Sequence, residues 1–378
     1  MTKRKVFLLA LLAATAVLSL TCSPMYVIRA GIEEAKILSR RRDITEVVSD
    51  PGTSARVRKK LELVVQARSF AEDQLGLAAG ESYTTYSWVD SDTLLMVVSA
   101  ARKDRFIPYT WWFPIVGRVP YKGFFDFEDA YAEARELEEE GYDTHVRPSG
   151  AFSTLGWFND PVLNTILRYS DVGLASTVIH EILHNSIFIP GQVGFNESFA
   201  NFVGDRGGAL FFCTRDGPAS PNCRLATLAW QDNIVFGTAL SDLVTRLERI
   251  YKRDDLTAAQ RIQQRDTVFT NWRADYQRRV VPQLQTTSFR DYAESPLNNA
   301  TLIGTRLYYQ RLDLFERVYQ RYGQDLRRAS EAIMQAARSN EKDPFAAVEA
   351  LVNGSDTGSG SGDGNGDGEG SREPQGYQ

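Results

Sequence analysis

Two histidines and two glutamates in one short stretch carry the clearest chemistry of the chain. Residues 180–184 have the sequence HEILH, and Glu197 follows a short distance later. Because residues four apart share one face of an α-helix, His180 and His184 can aim imidazole nitrogens at one cation. A catalytic zinc ion takes three protein ligands and keeps a fourth position for water, so Glu197 is the candidate third ligand. Glu181 projects beside this site, where a carboxylate can act as a general base.

The alternative is a pair of ordinary core histidines, because apolar residues flank both positions on the helix. The whole chain has only 3 histidines, however, so a chance occurrence of two of them at this spacing is improbable. The core alternative also leaves Glu181 unexplained, since burying an unpaired carboxylate is costly. The sequence therefore favours a metal site.

Two helices joined by a turn would bring these ligands together. Residues 185–195 are long enough to finish the first helix and to turn at Pro190-Gly191. A second helix would then begin with Asn196 as its N-cap. We expect this arrangement to return Glu197 to the two histidines.

Two polar residues on the second helix are candidates for supporting the metal ligands. Asn201 and Asp205 stand one and two helical turns beyond Glu197, on the same face. Either could orient a ligand histidine through its other ring nitrogen. The alternative for Asn201, a position on the helix surface, has comparable weight.

Residues 180–204, with the sequence HEILHNSIFIPGQVGFNESFANFVG, resemble the signature of a predicted zinc aminopeptidase family of bacterial lipoproteins. The resemblance covers most of the chain, from about residue 26 to about residue 351, and includes residues 113–121, 153–158 and 297–300. It implies a gluzincin-like metallopeptidase of the HExxH type. The residues that match the zinc positions of the family are His180, His184 and Glu197, and Glu181 matches its general base.

The resemblance also implies a strand that binds the substrate. In gluzincin-like folds an edge strand just before the metal helix pairs its backbone with an extended peptide, which points to residues 144–157. The candidates within it are Gly150, Ala151, Phe152 and Ser153. Aminopeptidases of the best-known gluzincin family place a glutamate in this strand for the free amine of the substrate, and residues 149–157 contain none.

A group that stabilises the oxyanion should complete the site, and in several gluzincins this group is a tyrosine. Tyr308 and Tyr309 are the candidates, because they follow the polar pair Asn298-Asn299 in an otherwise apolar helix. His145, at the start of the predicted substrate strand, is a third candidate, with an ordinary strand histidine as the alternative.

Aromatic residues are dense between residues 106 and 125. Most of them are expected to pack in the core. Trp111, Trp112 and Tyr121 could instead line the substrate groove, because exposed aromatic residues mark binding surfaces.

Hydrophobic periodicity predicts an α+β fold with a small N-terminal β-sheet lobe and a mainly helical C-terminal lobe, which resembles gluzincin architecture. We expect residues 22–352 to form one two-lobed metallopeptidase unit, divided into residues 30–170 and 171–352. A β-hairpin is predicted from residues 83–89 and 93–100. Helices are predicted over residues 30–48, 54–75, 126–141, 160–169, 225–253, 258–284 and 297–337.

Residues 1–21 have the character of a secretory signal peptide, since a basic start precedes an apolar run that is short for a membrane span. Residues 18–22 resemble a bacterial lipobox, in which Cys22 becomes the lipidated N-terminus. The alternative is an uncleaved N-terminal anchor. Both place the remaining chain at the periplasmic side of a bacterial membrane. Ser23 follows Cys22 where an acidic residue would favour the inner membrane, so the resemblance to known lipoproteins favours the outer one.

The remaining cysteines of the 3 in the chain are Cys213 and Cys223, which flank one loop. An oxidising compartment would let them close this loop as a disulfide. The alternative is two free buried thiols.

Composition argues against nucleic acid as a partner and predicts that the C-terminal segment is disordered. The formal net charge is −5 with no large basic patch, which argues against nucleic-acid binding. Residues 353–378 are rich in Gly, Ser and Asp and can bury little apolar surface, so we expect a disordered tail.

The sequence thus predicts a membrane-anchored peptidase that uses zinc-activated water, with Glu181 as base and a peptide as substrate. Aminopeptidase activity is the first expectation, from the family. The alternatives are a zinc endopeptidase acting on exported proteins, and a zinc-binding lipoprotein module without catalysis.

Overall fold

The structure is a computed structural model that describes residues 32, 35–90, 93–113, 117–149 and 160–353. Several sequence predictions lie outside these residues. They are the signal peptide, the lipidated Cys22, the substrate-strand candidates Gly150, Ala151, Phe152 and Ser153, and the tail beyond residue 353.

Short strands occupy the N-terminal half and helices the C-terminal half, so the predicted α+β class is confirmed. The strands are β1 (Arg42–Asp43), β2 (Thr85–Ser87), β3 (Leu95–Arg102), β4 (Trp111–Phe113), β5 (Gly117–Val119), β6 (Lys122–Phe124), β7 (Tyr142–Ser149) and β8 (Val162–Leu163). The helices are α1 (Ile44–Ser49), α2 (Ala55–Asp73), α3 (Phe127–Glu139), α4 (Asp171–Ser186), α5 (Val193–Asp216), α6 (Pro221–Tyr251), α7 (Ala258–Asp275), α8 (Asn299–Tyr309), α9 (Leu312–Arg321), α10 (Leu326–Ser339) and α11 (Pro344–Asn353).

Three small sheets contain the described strands. β3 is the centre of one sheet and pairs antiparallel with β6 and β7, and α3 and α8 both contact it. Coverage from both sides explains why seven consecutive residues of β3 are buried. Within the part of the chain that the structure describes, β7 pairs only with β3 and is therefore an edge strand.

The predicted hairpin of residues 83–89 and 93–100 is wrong. β2 pairs with β1 and, in parallel, with β8, whereas β3 belongs to a different sheet. Residue types that favour strands, namely Tyr, Val and Thr, identified the two strands, but partner choice depends on which surfaces are covered by distant elements. The predicted helix over residues 160–169 is also wrong, because β8 occupies part of it and only a 3-10 turn over Ile166–Arg168 follows.

Three of the predicted long helices are interrupted. In residues 30–48, β1 intervenes and Asp43 caps α1 by accepting a hydrogen bond from the Thr45 amide at 2.7 Å. The helical run over residues 258–284 was predicted to break near Pro282, which lacks an amide proton; the α-helix ends earlier, at Asp275, and a π turn and a 3-10 turn around Pro282 follow it. Residues 297–337 form three helices, and the first break falls at Arg311, whose φ is 55°.

The helix that carries both candidate metal-ligand histidines lies inside the largest hydrophobic core of the described residues. α4 packs against α2, α5 and α6, and most of its residues are buried. Cys213 and Cys223 form a disulfide that joins α5 to α6. Within the described residues, every helix is too short or too polar to cross a lipid bilayer.

Hydrogen bonds of Asn298 and Asn299 connect the sheet to the helical lobe. Asn298 caps α8 by accepting from the Thr301 amide at 2.8 Å, and its own side-chain amide donates to the Thr144 carbonyl of β7 at 2.9 Å. The buried Asn299 side chain donates to the Arg102 carbonyl of β3 at 2.8 Å. These bonds fix the start of α8 against two strands.

A buried ion pair completes the connection. The Asp143 carboxylate of β7 accepts hydrogen bonds from the Arg265 guanidinium of α7 at 2.7 Å and from the backbone amide of Asn299 at 3.0 Å. Both side chains are almost fully buried, so each charge needs the other to compensate for its lost hydration. β7 and α8, which both contribute to the site below, are thereby held at a fixed spacing.

Candidate metal centre

The structure brings together the three predicted metal ligands. His180 and His184 lie one turn apart on α4, and their ring centroids are 5.0 Å apart. Glu197 Oε2 lies 3.4 Å from Nε2 of His180 and 3.8 Å from Nε2 of His184. One ligand atom from each residue falls within a group whose members are all within 4.8 Å of one another. Two imidazoles and a carboxylate therefore converge on one point.

Asn196 fixes the turn that returns Glu197 to the histidines, but it is not the N-cap. α5 begins at Val193, so Asn196 lies inside the helix. Its buried side chain donates to the Ile189 carbonyl at 2.9 Å and accepts from the Ile189 amide at 3.0 Å. The two bonds clamp the turn that contains Gly191, whose φ of 79° suits glycine. The amide group thus closes the loop instead of starting the helix.

Glycines on α5 allow it to lie directly against α4. A Cβ atom added at Gly204 would come within 2.7 Å of the Ser176 carbonyl oxygen and 3.0 Å of the Cβ atom of His180. A Cβ atom at Gly208 would come within 2.5 Å of the Ser176 hydroxyl. The Gly204 contact is with backbone that cannot move aside, so a side chain there would push the helices apart, whereas the Ser176 hydroxyl near Gly208 could rotate away. The absence of side chains at these positions sets the distance between the histidines and Glu197.

The chemistry of the three ligands fits a zinc ion. Burial lowers the pKa of His184 to about 4, which leaves this imidazole neutral, as a metal ligand must be. Burial alone would raise the pKa of Glu197, but the hydrogen bond with His180 and the nearby imidazoles lower it, so the carboxylate is ionised. Two nitrogen donors and one oxygen donor form a set that zinc uses in catalytic sites.

His180 differs from His184 in its electrostatic surroundings. Burial alone would lower the pKa of His180, but its bond to Glu197 and the charges of Glu181, Glu197 and Asp205 raise it. A cation bound between His180 and Glu197 would compete with protonation of this imidazole, because a ligand histidine must be neutral.

Glu181 has the properties of a general base near neutral pH. Burial raises its pKa to about 7, and the charges of Glu197 and Asp160 act in the same direction, while His180 lowers it. A carboxylate that titrates near the working pH can both accept and release a proton efficiently. The residue lines the same cleft as the three ligands.

The two candidates for supporting the ligands have different roles. Asp205 accepts a hydrogen bond from the Asn233 side chain at 2.6 Å and is close enough to His180 for its charge to raise the pKa of that imidazole. Asn201 instead donates from its side-chain amide to the Tyr308 carbonyl at 3.0 Å. Asn201 therefore positions the end of α8, and Asp205 is the residue placed beside a ligand.

Of the three oxyanion candidates, Tyr308 lies beside the ligands. Its ring stacks near His180 with centroids 6.3 Å apart, and its hydroxyl is 3.4 Å from the Arg147 guanidinium. The charge of Glu197 and burial raise the pKa of Tyr308, so the phenol is neutral and can donate a hydrogen bond. Tyr309 also lines the cleft, but its ring packs edge-on against Phe236. His145 lines a separate cavity.

A cleft of about 990 Å³ opens above the ligands. Tyr121 lines it together with the apolar residues Leu95 and Val97 of β3. Trp111 is instead buried in the core, where its indole donates to Glu133 at 2.7 Å, and Trp112 is exposed without lining the cleft. One of the three aromatic groove candidates is thus placed at the site.

A loop from the helical lobe forms another wall of the cleft. Thr286 and its neighbours line it, and Asp232 of α6 holds the loop in place. The fully buried Asp232 carboxylate accepts hydrogen bonds from the backbone amides of Gln285 at 2.7 Å and Thr286 at 2.8 Å. No sequence motif indicated Asp232 or this loop.

Comparison with protein families identifies the family to which this chain belongs. A family model described as "Putative aminopeptidase" matches residues 25–347. The chain belongs to this family. The comparisons with curated proteins and with solved structures gave no match. The part that matches the aminopeptidase family contains all three ligands, Glu181 and Tyr308, and every element that positions them.

We expect Gly204→Ala to weaken the metal site of this aminopeptidase-family chain. The added methyl group meets the Ser176 carbonyl and His180, so α4 and α5 must separate and the ligands lose their spacing. Zinc affinity should fall by about 10-fold or more, the range seen when groups that orient ligands are removed. Competition with a chromogenic chelator measures it.

Gly304→Ala is the matched control, because its nearest neighbour outside α8 is the Ser99 hydroxyl at an ordinary 3.7 Å. Its zinc affinity should equal that of the wild type. Equal zinc affinity in the Gly204 and Gly304 variants would contradict the role assigned to the helix crossing.

Proposed function

We propose that this chain is a zinc-dependent peptidase that acts as an aminopeptidase, as its family description suggests. The observation that carries the proposal is the convergence of His180, His184 and Glu197 with Glu181 beside them in one open cleft. A zinc ion held there supplies a Lewis acid for a peptide carbonyl and for water. A purely structural zinc site would have no need of Glu181, which argues against a binding module without catalysis.

Residues of this chain would move the protons and stabilise the charge. Glu181 takes a proton from the attacking water and delivers it to the leaving amine, as a carboxylate with a pKa near 7 can. Tyr308, a neutral phenol beside His180, donates a hydrogen bond to the oxyanion that develops on the scissile carbonyl. The edge of β7 offers backbone groups to an extended peptide.

Endopeptidase action is the second candidate, and one observation favours it. The carboxylates among the described cleft-lining residues are Glu181, Glu197 and Asp205, and each already has a role as base, ligand or partner of Asn233. None of the three is left over to bind the free amine of a substrate. Blocked peptides therefore belong in any substrate panel.

We also propose that the chain is anchored to a bacterial membrane by lipid on Cys22 and acts on the periplasmic side. The support comes from the signal-like residues 1–21 and from the lipobox resemblance of residues 18–22. The disulfide between Cys213 and Cys223 agrees with an oxidising compartment.

Glu181→Gln should abolish hydrolysis without removing zinc. The amide keeps the size of the side chain but cannot accept the proton, so kcat should fall by about 10²- to 10⁴-fold. We would measure zinc content and cleavage of matched peptides with free and acetylated amino ends. Cleavage of the free-amine peptides alone would support an aminopeptidase, and cleavage of both sets an endopeptidase.

Glu139→Gln, at an exposed position of α3, controls for the loss of a glutamate and should keep full activity. A wild-type protein that holds one zinc ion yet cleaves neither set of peptides would favour the binding-module alternative. Full activity in Glu181→Gln would remove Glu181 from the mechanism.

Tyr308→Phe tests the proposed oxyanion donor. Because the hydrogen bond forms with the transition state, kcat should fall by about 10²- to 10³-fold while KM changes little. Tyr309→Phe is the control, since its ring packs in an aromatic cluster and the variant removes only a hydroxyl. Equal kcat values for the two variants would exclude Tyr308 as the donor.

A further inference from the structure

Arg147 is a charged residue of the cleft that no part of the proposed chemistry uses. It lies on β7 opposite Val97 of β3, and both residues line the cleft. Residues two apart along a strand share a face, so Arg147 and the buried Asp143 lie on the same side of β7. Val146, on the opposite face, packs against the core that contains residues of α3. The strand therefore directs the Arg147 side chain into the site.

Arg147 forms no hydrogen-bonded ion pair with a carboxylate among the described residues, although it is near enough to Glu197 for its charge to lower the pKa of that carboxyl. Its guanidinium lies 3.4 Å from the Tyr308 hydroxyl and 5.8 Å from the centre of the Tyr308 ring. Arg265, on α7, shows the usual arrangement, since the Asp143 carboxylate lies 2.7 Å from it. A half-buried guanidinium without a directly hydrogen-bonded carboxylate is costly, and a ligand that supplies one would lower this cost.

The cleft favours an anionic ligand at this position. Among the lining residues that the structure describes, Arg147 is the only lysine or arginine. The close partners of Glu197 are the two histidines and that of Asp205 is Asn233, so Glu197 acts on Arg147 only at longer range and neither carboxylate is hydrogen-bonded to it. Residues 150–159, which continue the chain beyond β7, contain no Asp or Glu that could neutralise it.

We propose that Arg147 binds a carboxylate of the peptide substrate and makes the cleft selective for peptides with a negative charge close to the scissile bond. This inference rests on the proposed peptidase function. A guanidinium suits the role because it can bind a carboxylate with two parallel hydrogen bonds. It would be a specificity-determining residue, distinct from the groups that carry out hydrolysis.

The position of Arg147 limits how far the carboxylate lies from the bond that is cleaved. Arg147 contacts Tyr308, whose ring is 6.3 Å from that of His180. An extended peptide advances about 3.3–3.6 Å per residue, so the carboxylate belongs about one or two residues from the scissile carbonyl. Two sources fit this distance, namely an acidic side chain and the free C-terminus of a dipeptide or tripeptide.

A matched set of short peptides separates the two sources. One pair differs only in a free or amidated C-terminus, and a second pair, both amidated, differs only in Glu or Gln at the residue after the scissile bond. We expect the wild type to prefer the charged member of one pair by about 10- to 100-fold in kcat/KM, as for a charge-assisted hydrogen bond. Preference in the first pair identifies the C-terminus, and preference in the second identifies the side chain.

Arg147→Gln should remove this preference while still cleaving the uncharged peptides. Arg147→Lys should keep the preference at a reduced level, because it retains the charge without the planar fork. Arg118→Gln is the control, since Arg118 lies on β5, outside the lining of the cleft, and should behave as the wild type. Equal cleavage of both members of each pair by the wild type, or a preference that survives in Arg147→Gln, would overturn the proposal.

Calorimetry with the same peptides tests whether Arg147 binds a carboxylate, whether or not the chain hydrolyses peptides. Binding is measured in the zinc-loaded Glu181→Gln protein, with and without Arg147→Gln, where no turnover is expected. Tighter binding of charged peptides that depends on Arg147, in a chain whose wild type cleaves nothing, would sustain the carboxylate site while the peptidase proposal fails. Hydrolysis without discrimination, together with equal binding, would leave the peptidase and remove the carboxylate site.

Discussion

The structure depends on one costly arrangement, an ionised carboxylate buried against two imidazoles. Glu197 meets His180 and His184 between two helices, where the three side chains line the cleft but are largely shielded from solvent. Removing such a charge from water is tolerated only when partners compensate for the lost hydration. The clamp of Asn196 on Ile189 and the side-chain-free crossing at Gly204 hold these partners in place. A cation bound by the three side chains would neutralise the carboxylate.

The second constraint is the fixed spacing between β7 and α8. β7 carries Arg147 and α8 carries Tyr308, and the two side chains meet across the cleft. The Asp143–Arg265 ion pair and the hydrogen bonds of Asn298 and Asn299 lock these elements together away from the metal ligands. Groups far from the ligands therefore decide how a substrate would lie over them.

Much of the site could be predicted from the sequence because its spacing is local. The pattern of residues 180–184 needs only a helix to place two histidines together, and a short turn suffices to return Glu197. The prediction that Asn196 caps the second helix was wrong. A side chain that closes a turn and one that caps a helix occupy neighbouring positions, so local sequence does not distinguish them. The second helix does return Glu197 to the two histidines, as predicted, although it begins at Val193, earlier than expected.

The remaining features depend on contacts between distant parts of the chain. Residues 83–89 and 93–100 were identified as strand regions, but their true partners, β8 and β7, lie far along the sequence. No role was predicted for Arg147, because it lies in a strand of mixed polar and apolar residues. The signal that could have found it was the alternation from Asp143, which places both charges on the face toward the helical lobe.

X-ray absorption at the zinc edge, on purified protein with its zinc content measured, tests the central claim most directly. We expect one zinc ion per chain with two imidazole ligands, oxygen in the remaining positions and no sulfur, and a changed spectrum or lost zinc in His184→Ala. Zinc well below one per chain after loading, sulfur among the ligands, or a spectrum unaffected by His184→Ala would contradict the assignment of His180, His184 and Glu197 as the metal site.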